Sequence, residues 1–367
     1  MKKCLIGALL SMLLFQHNAL ADSSRSSILI DGETGRVLYE NNAHEPLPMA
    51  STTKVMTALL ALENCDMDEV VTASKNAFGV PGTSIYLSEG EELTMEQMLY
   101  GLMLSSGNDA AVAIAEHVAG SVDAFCNMMT RRAEELGCEN TVFMTPHGLP
   151  HDVHHTTAYD LSLIAREAMK NETFRKIVGT AKMQIPWENH DYARVLSNKN
   201  RLLTTYDGST GIKTGYTNKA GRCLVFSAMR NGMELIGCVL NCQDWFGQAE
   251  SILDMGFEKY ERVVLHQAGE RVTEVEIIGG TVDRISVCAA ADAAVPMEKG
   301  ILPRVEMEMP ETLEAGIMQG QRVGMMHLYD GNEKLLSVPL LAMEEAPKGT
   351  FPFHVRQVVE NWLSATP

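Results

Sequence analysis

Positively charged side chains are scarce in this sequence of 367 residues. Lysine and arginine together number 30 against 47 aspartates and glutamates, which gives a formal net charge of −17. Proteins that bind nucleic acid need a basic face, and attraction to anionic lipid by charge alone needs clustered lysine or arginine. The composition therefore argues against a nucleic-acid partner and against a membrane surface held by charge.

The apolar run at the start of the chain, residues 4–15, is too short to cross a bilayer. It follows Lys2 and Lys3 and precedes Ala19-Leu20-Ala21, whose small side chains are typical of a signal-peptidase cleavage site. We predict a signal peptide over residues 1–21 and a secreted chain that begins at Asp22.

A disulfide framework is also missing. Of eight cysteines, seven follow the predicted cleavage site, and an odd number cannot all pair within the chain. Cys238 and Cys242 lie close in sequence, but no nearby histidine completes a zinc pattern. We predict free, partly buried thiols and no metal site. The seven are Cys65, Cys126, Cys138, Cys223, Cys238, Cys242 and Cys288.

Hydrophobic periodicity divides the chain into two regions. Residues 22–262 read as strands at both ends with helices between them, which predicts an α+β domain whose terminal strands share one antiparallel sheet. Helices are predicted over 51–63, 95–104, 109–119, 122–136, 157–170 and 250–261, and strands over 27–31, 35–40, 212–216, 223–229 and 233–240.

Short strands and turns follow from residue 263. They predict a small all-β domain over residues 263–346 and a tail over 347–367. The strands of this domain are predicted over 270–278, 282–289, 305–309, 322–329 and 334–341.

Ser51-Thr52-Thr53-Lys54 begins an apolar helix and has the pattern Ser-x-x-Lys. Residues three apart lie on one helix face, so the hydroxyl and the amine would meet. A serine hydroxyl needs a base to become a nucleophile, and a lysine in a low-dielectric site can act as one. Taken alone, the four residues fit better a helix cap at Ser51 followed by an exposed Lys54.

Two further short motifs follow in the chain. Ser106-Gly107-Asn108 lies between two predicted helices, where the hydroxyl could relay a proton and the amide could hold a substrate carbonyl. Lys213-Thr214-Gly215 lies on a predicted strand, where the lysine could stabilise negative charge, the threonine could bind a terminal carboxylate and the glycine could admit a peptide at the strand edge. Each motif alone also fits an ordinary loop or edge strand.

The three motifs together, in this order, are typical of penicillin-binding proteins and serine β-lactamases. The longer segments around them resemble those of the serine D-alanyl-D-alanine carboxypeptidases, the low-molecular-mass penicillin-binding proteins. They are residues 49–57, 104–111 and 211–217, with a further similar segment at Thr145-Pro146-His147-Gly148-Leu149. The resemblance implies a β-lactamase/transpeptidase-like domain, in which an antiparallel sheet joins a helical subdomain, followed by a small all-β domain.

The resemblance also implies residue roles. Ser51 would attack the carbonyl of the penultimate D-alanine, Lys54 would act as its base, and Ser106 and Asn108 would assist proton transfer and substrate placement. The expected substrate is a peptidoglycan stem peptide ending in D-Ala-D-Ala, β-lactams are the expected inhibitors, and the mechanism needs no cofactor and no metal.

For the peptide's free end, the resemblance implies that Lys213 and Thr214 hold the carboxylate, beside Gly215. The backbone N–H groups of Ser51 and Tyr216 would form the oxyanion hole. Some family members add an arginine near the end of the first domain, but none is found around Asp244-Trp245-Phe246. The recognition of the carboxylate is therefore only partly explained by the sequence.

The histidines of this region are predicted to have structural roles or to lie on the protein surface. His147 could be mistaken for a general base and His151, His154 and His155 for a metal site, but no cysteine or carboxylate completes that cluster.

Two other functions remain open at this point. A β-lactamase would need a carboxylate that positions water, and Glu167 with Asn171 matches a Glu-x-x-x-Asn spacing, although both fall in a continuous helical pattern. The other alternative is a non-catalytic protein that binds peptidoglycan or senses penicillin.

The C-terminal tail has an amphipathic stretch from Phe353 to Leu363 with a single arginine. It fits a weak contact with a membrane surface and equally a segment packed on the protein. Because a signal peptide is predicted over residues 1–21, the expected location is outside the cytoplasmic membrane, at the cell wall or the membrane surface.

Overall fold

A computed structural model of the chain describes residues 23–364. Its strands, in chain order, are β1 (Ser24–Asp31), β2 (Val37–Asn41), β3 (Val70–Thr72), β4 (Glu92–Thr94), β5 (Lys182–Ile185), β6 (Arg194–Ser197), β7 (Ser209–Thr217), β8 (Gly221–Arg230), β9 (Met233–Cys242), β10 (Tyr260–His266), β11 (Arg271–Ile278), β12 (Arg284–Ala289), β13 (Ala293–Glu298), β14 (Arg304–Glu308), β15 (Thr312–Glu314), β16 (Arg322–Asp330) and β17 (Glu333–Ala342).

The helices are α1 (Lys54–Asn64), α2 (Met95–Met103), α3 (Asn108–Ala119), α4 (Val122–Glu135), α5 (Ala158–Met169), α6 (Glu172–Val178), α7 (Leu202–Thr205), α8 (Trp245–Lys259) and α9 (Phe351–Ser364), and a 3-10 turn covers Ala50–Thr53. The predicted signal peptide lies outside the described residues. Within them, no helix has the length and apolar character that crossing a membrane requires.

The N-terminal region of the chain is built on a five-stranded antiparallel sheet in the order β2-β1-β9-β8-β7. Strand β1 pairs with β9 in a register that places Ile28 opposite Cys238. The first strand of the chain thus joins a strand that follows more than 200 residues later. The predicted α+β class, with the terminal strands in one sheet, is confirmed.

Both faces of this sheet are buried. Successive residues of a strand point to opposite faces, and Ile28 and Ile30 lie in the core shared with the helical subdomain, whereas Leu29 lies in the core formed with α8. Helix α5 packs on one side of β1 and β9, and α8 packs against β8 and β9. The sheet is therefore a rigid middle layer on which β7, at its edge, is held in place.

Side-chain caps define where several helices start. Thr94 forms a capping box with Gln97 at α2, Ser121 caps α4, and Asp244 accepts a hydrogen bond from the N–H of Gly247 at α8. Such caps satisfy N–H groups that have no partner inside the helix. The cap at Asp244 starts α8 at Trp245, five residues before the predicted start.

The helix predicted over residues 157–170 is confirmed, but the helical pattern does not continue through Asn171, which was predicted to share it with Glu167. Helix α5 ends at Met169, and the extended residue Asn171 caps α6, where its side chain accepts a hydrogen bond from the N–H of Phe174. Asparagine favours this cap position because its short side chain competes with the helical backbone.

The C-terminal region is all-β, as predicted. A six-stranded sheet has the order β14-β16-β17-β12-β11-β15, and β10 pairs with β13 in a separate ribbon. Val295 and Met297 of β13 share an apolar core with Val287 and Leu340 of the larger sheet. The sequence patterns did not predict β10 and β13, and β10 runs across the predicted boundary between residues 262 and 263.

Arginines connect the two regions. Arg36, next to β2, donates to the carbonyl of Pro296 at 2.8 Å and forms an ion pair with Asp330. Arg262 pairs with Glu33 at 2.8 Å and with Asp292 at 3.1 Å. These contacts tie the turn between β1 and β2 to the C-terminal sheets.

Candidate active site

Ser51 lies in the 3-10 turn that leads into α1, and Lys54 is the first residue of that helix. The Nζ atom of Lys54 is 3.1 Å from the Oγ atom of Ser51. The preceding residue, Ala50, has a φ of +50°, a left-handed conformation that is uncommon for a residue other than glycine. The turn therefore holds the hydroxyl and the amine within hydrogen-bonding distance of each other.

The amine of Lys54 has no exposed surface and is surrounded by oxygen atoms. It donates to Oδ1 of Asn108 at 2.7 Å and to the carbonyl of His147 at 2.8 Å. Burial, and then the positive charges of Lys213 and Lys199, lower the pKa of Lys54 well below its ordinary value. A lowered pKa favours the neutral amine, which can accept a proton from a hydroxyl.

The Ser-x-Asn motif lies beside this pair. Ser106 is buried in the short link between α2 and α3, with a φ of +63°. Asn108 starts α3 and, besides its contact with Lys54, donates from Nδ2 to the carbonyl of Pro81 at 2.6 Å. Asn108 is thereby fixed at both ends of its amide, and it positions Lys54.

The Lys-Thr-Gly motif lies on β7. Lys213 is almost fully buried and donates to the carbonyl of Thr214 at 3.0 Å. Burial, followed by the charge of Lys199, lowers the pKa of Lys213 to about 7. A Cβ atom on Gly215 would lie 2.9 Å from the backbone nitrogen of Ser51, so the glycine allows the strand to approach the Ser51 turn this closely.

The segment Thr145–Leu149 completes the support of the turn, a role that sequence spacing did not indicate. Its Gly148 has a φ of +86°, and a Cβ atom there would lie 1.8 Å from the carbonyl oxygen of Ala50. The neighbouring carbonyl of Pro146 accepts a hydrogen bond from Thr57 of α1 at 2.6 Å. The loop thus packs against the 3-10 turn and the first turn of α1.

Two histidines near the site, His147 and His154, have pKa values well below the ordinary range. Burial, with the charge of Lys54 as a second cause, lowers the pKa of His147 to about 3, and burial lowers that of His154 to about 4. His147 contacts Lys54 through its backbone carbonyl, while His154 Nε2 lies 2.9 Å from the hydroxyl of Thr53. Both arrangements are structural.

A cleft of about 420 Å³ joins the three motifs. Its lining residues are Ser51, Gly82, Thr83, Ser106, Asn108, Gly148, Leu149, Lys199, Thr214, Gly215, Tyr216, Thr217 and Trp245. Lys54 and Lys213 lie directly behind this lining. Of the predicted site residues, all eight therefore lie in or directly behind one cleft.

Lys199 lines the cleft and was not singled out from the sequence. Burial lowers the pKa of its amine below the ordinary value, and its charge lowers the pKa of both Lys54 and Lys213. It belongs to no motif, so its position could be found only by folding the chain. The cleft thus contains a third amine, close to the two predicted ones.

The pair that suggested a β-lactamase lies elsewhere. Glu167 forms ion pairs with Lys170 at 2.6 Å and with Arg132 at 3.5 Å, and Asn171 caps α6. Neither side chain lines the cleft that contains Ser51. The Glu-x-x-x-Asn spacing is therefore explained by surface ion pairing and helix capping.

Comparisons with known proteins agree with this geometry. The family model described as D-alanyl-D-alanine carboxypeptidase matches residues 15–244, and the model described as penicillin-binding protein 5, C-terminal domain, matches residues 260–348. The chain is 35% identical to the D-alanyl-D-alanine carboxypeptidase DacF of Bacillus subtilis, covering 94% of this chain and 91% of that protein. It is 32% identical to DacA of Escherichia coli, with 89% and 85% covered.

Solved structures extend the likeness to the whole fold. The structure of penicillin-binding protein 5 from Haemophilus influenzae superposes with a TM-score of 0.74 at 26% identity, covering 89% of this chain and 98% of that one. The expected combination of a transpeptidase-like domain with a C-terminal all-β domain is thereby confirmed. Since the family model spans well over half of the sequence, the chain belongs to the D-alanyl-D-alanine carboxypeptidase family of serine hydrolases.

Proposed function

We propose that this protein removes the terminal D-alanine from peptidoglycan stem peptides that end in D-Ala-D-Ala, through an acyl-enzyme on Ser51. The observation that carries the proposal is the distance of 3.1 Å between the Lys54 amine and the Ser51 hydroxyl, in a cleft bordered by β7. The names of the relatives, D-alanyl-D-alanine carboxypeptidases, support the same reaction.

In the acylation step, the neutral amine of Lys54 accepts the proton of Ser51 while Oγ attacks the carbonyl carbon of the penultimate D-alanine. The resulting oxyanion is held by the backbone N–H groups of Ser51 and Tyr216, and one such donor is worth about 3–4 kcal/mol of barrier. The C–N bond then breaks, and the proton that Lys54 accepted from Ser51 passes through the hydroxyl of Ser106 to the departing amine of D-alanine, which returns Lys54 to its neutral form.

In the deacylation step, a water molecule attacks the ester on Ser51 and gives a proton to the amine of Lys54. Breaking the ester bond returns the hydrogen to Oγ and releases the shortened peptide with a new carboxylate. Asn108 holds Lys54 in place during both steps because its Oδ1 accepts from Nζ at 2.7 Å. The same groups therefore serve both half-reactions, and no cofactor takes part.

The carboxylate of the substrate needs positive charge at the end of the cleft near β7. Thr214 supplies a hydroxyl and Lys213 a buried amine. We infer that Lys199 supplies the charge that other family members obtain from an arginine, because it lines the same cleft. A bound carboxylate would stabilise the charged form of both lysines.

The same attack on a β-lactam would open its ring and leave a covalent adduct on Ser51, so β-lactams are the proposed inhibitors. We also propose that residues 1–21 are a signal peptide, and that the mature enzyme acts outside the cytoplasmic membrane. Residues 22–262 would carry the reaction, and residues 263–346 would form a separate β domain.

The tail could add a weak membrane contact. The described part of α9 exposes Phe351, Val355, Val359 and Trp362, which are apolar side chains suited to the lipid interface. We propose a peripheral contact through this helix.

The direct test is release of D-alanine from a diacylated tripeptide that ends in D-Ala-D-Ala. The parent protein should release one D-alanine for each peptide, and Ser51→Ala should release none above background. D-alanine release that survives Ser51→Ala, or a folded parent without activity on this peptide, would contradict the proposal.

The same assay tests Lys199. Lys199→Ala should raise KM for the free carboxylate about tenfold, the effect of about 1.4 kcal/mol of lost attraction. The KM for a substrate with a terminal carboxamide should be nearly the same for the parent and for Lys199→Ala, because that substrate has no carboxylate charge. An equal loss on both substrates would assign Lys199 to support of the site and not to the carboxylate.

A further inference from the structure

A second cluster of chemically capable side chains lies away from the cleft. Cys65 follows the last residue of α1, Glu69 precedes β3, and His117 lies in the last turn of α3. One ligand atom from each of the three lies within 4.8 Å of the others. Among residues 23–364, this is the group of three histidine, cysteine or acidic side chains that meets such a distance.

The ligand types are those of a zinc site. Zinc in proteins is bound by cysteine sulfur at about 2.3 Å, histidine nitrogen at about 2.0–2.1 Å and carboxylate oxygen at about 2.0–2.2 Å, often with water in the fourth position. His117 Nε2 and Glu69 Oε2 are 3.1 Å apart, close to the separation of two ligands on one tetrahedral zinc ion. A thiolate with an imidazole selects against magnesium and calcium.

The carboxylate is already oriented for this purpose. Glu69 Oε1 accepts from the N–H of Asp66 at 2.6 Å, which leaves Oε2 directed at His117. The side chains of Glu69 and His117 are 42% and 25% exposed, and Cys65 is half-buried. A metal ion could therefore enter from solvent and displace the thiol proton.

We propose that Cys65, Glu69 and His117 bind a zinc ion with a water molecule as the fourth ligand. The three come from segments up to 52 residues apart in sequence, so no spacing pattern indicated them, and the prediction of no metal site followed from local patterns alone. The proposal does not depend on the function assigned to the cleft.

The position of the cluster indicates what the ion does. Helices α1 and α3 pack against each other, and each begins at the active site, with Lys54 and Asn108 respectively. Their other ends carry Cys65 and His117, about 14–16 Å along the helices. An ion there would clamp the far ends of the two helices whose first residues hold the reacting groups, and would stabilise the fold without touching substrate.

The simplest alternative is an ion pair between Glu69 and His117 with a cysteine nearby by chance. The two cases differ in the thiol, because an ion pair between Glu69 and His117 does not involve sulfur, whereas the proposed zinc site uses the thiolate of Cys65 as a ligand. Cys65→Ser is therefore the informative variant. Cys288→Ser is its matched control, because Cys288 is the other half-buried cysteine among the described residues.

The test is titration of the full secreted chain with Zn²⁺ alone in competition with a chromogenic chelator, followed by substitution with Co²⁺. The parent and Cys288→Ser should each bind one Zn²⁺, and the cobalt form should show the ultraviolet charge-transfer band of a thiolate ligand. Cys65→Ser and His117→Ala should bind at least about 100-fold more weakly, because the loss of a group that merely orients a ligand already costs about 10–100-fold in affinity.

Stability and activity provide the second measurement. Zn²⁺ should raise the melting temperature of the parent, because a ligand that binds only the folded state stabilises it, and should not raise that of Cys65→Ser, while Mg²⁺ should shift neither. D-alanine release by the variants should stay at the parental rate, which shows that they are folded. Absence of saturable Zn²⁺ binding by the parent, or equal binding by Cys65→Ser, would overturn the proposal.

Discussion

The two regions of the molecule differ in what their cores contain. Among the described residues, every buried polar or charged side chain lies at or before Gln248, whereas the core of the C-terminal sheets is entirely apolar. Strand β7 buries Lys213 and Thr214, but all five residues of β14 are exposed. Charges in the C-terminal region lie on the surface.

This difference shows where the fold accepts a loss of stability for the sake of chemistry. Burying an amine is unfavourable unless it is hydrogen-bonded or neutral. The amines of Lys54 and Lys213 are both hydrogen-bonded, and they lie among the sheet, the Ser51 turn and the Gly148 loop. The left-handed residues Ala50 and Ser106 lie in the same place, as expected for strain at a functional site. The C-terminal core has no such features and is suited to support.

The largest expected difference between the two regions is the effect of removing a lysine amine on the rate of acylation. Lys54→Met should slow acylation by a fluorescent penicillin by about 10²–10⁴-fold, the usual contribution of a general base. Lys334→Met, the same change at an exposed residue of β17, should leave the acylation rate unchanged. Stopped-flow acylation rates for the two variants check this, and equal rates would contradict the role of Lys54.

The structural charges provide a second contrast. Glu91 and Arg194 form a buried ion pair at 2.9 Å with side chains 1% and 4% exposed. Glu91→Gln should lower the free energy of unfolding by about 3–5 kcal/mol, because it leaves a buried guanidinium without a counter-charge. Glu276→Gln, which breaks the exposed pair with Arg284, should cost about 0–1 kcal/mol. Urea denaturation measures both, and similar losses would remove the contrast.

A smaller effect concerns pH. The pKa of Lys213 is lowered to about 7, so between pH 7 and about 10.5 the unfolded chain binds a proton that the folded protein does not. The stability of the parent should therefore rise with pH across this window. Lys213→Met should be more stable by about 2–4 kcal/mol at pH 7.5, and the difference should shrink towards pH 10.

Chemical denaturation at several pH values follows this change. The exposed Lys334→Met variant serves as the control and should track the parent throughout. A difference between Lys213→Met and the parent that stays constant with pH would mean that Lys213 is charged in the folded protein.

Much of this architecture could be read from local sequence. Apolar periodicity placed α2, α3 and α4 within a residue of their bounds, and the strands predicted over 223–229 and 233–240 lie within β8 and β9. The joint order of the three motifs was enough to select eight residues that lie in or directly behind the cleft, although not Lys199. The helices and strands could be predicted because each depends on residues close together in sequence, and sequence patterns act over that range.

The remainder depends on contacts between distant segments. The close approach of Gly148 to Ala50, the position of Lys199 in the cleft and the pairing of β10 with β13 join residues that are far apart in the chain. Helix α6 was not predicted, and Asn171 was placed in the same helical pattern as Glu167, because local spacing does not reveal that Asn171 caps α6.

The central claim is that the hydroxyl of Ser51 is the nucleophile. Mass spectrometry of the protein after reaction with penicillin, followed by digestion, tests it most directly. The account predicts one added penicillin mass, located on the peptide that contains Ser51, and no added mass on Ser51→Ala. An adduct on Ser106 or on a cysteine, or an adduct that persists in Ser51→Ala, would contradict it.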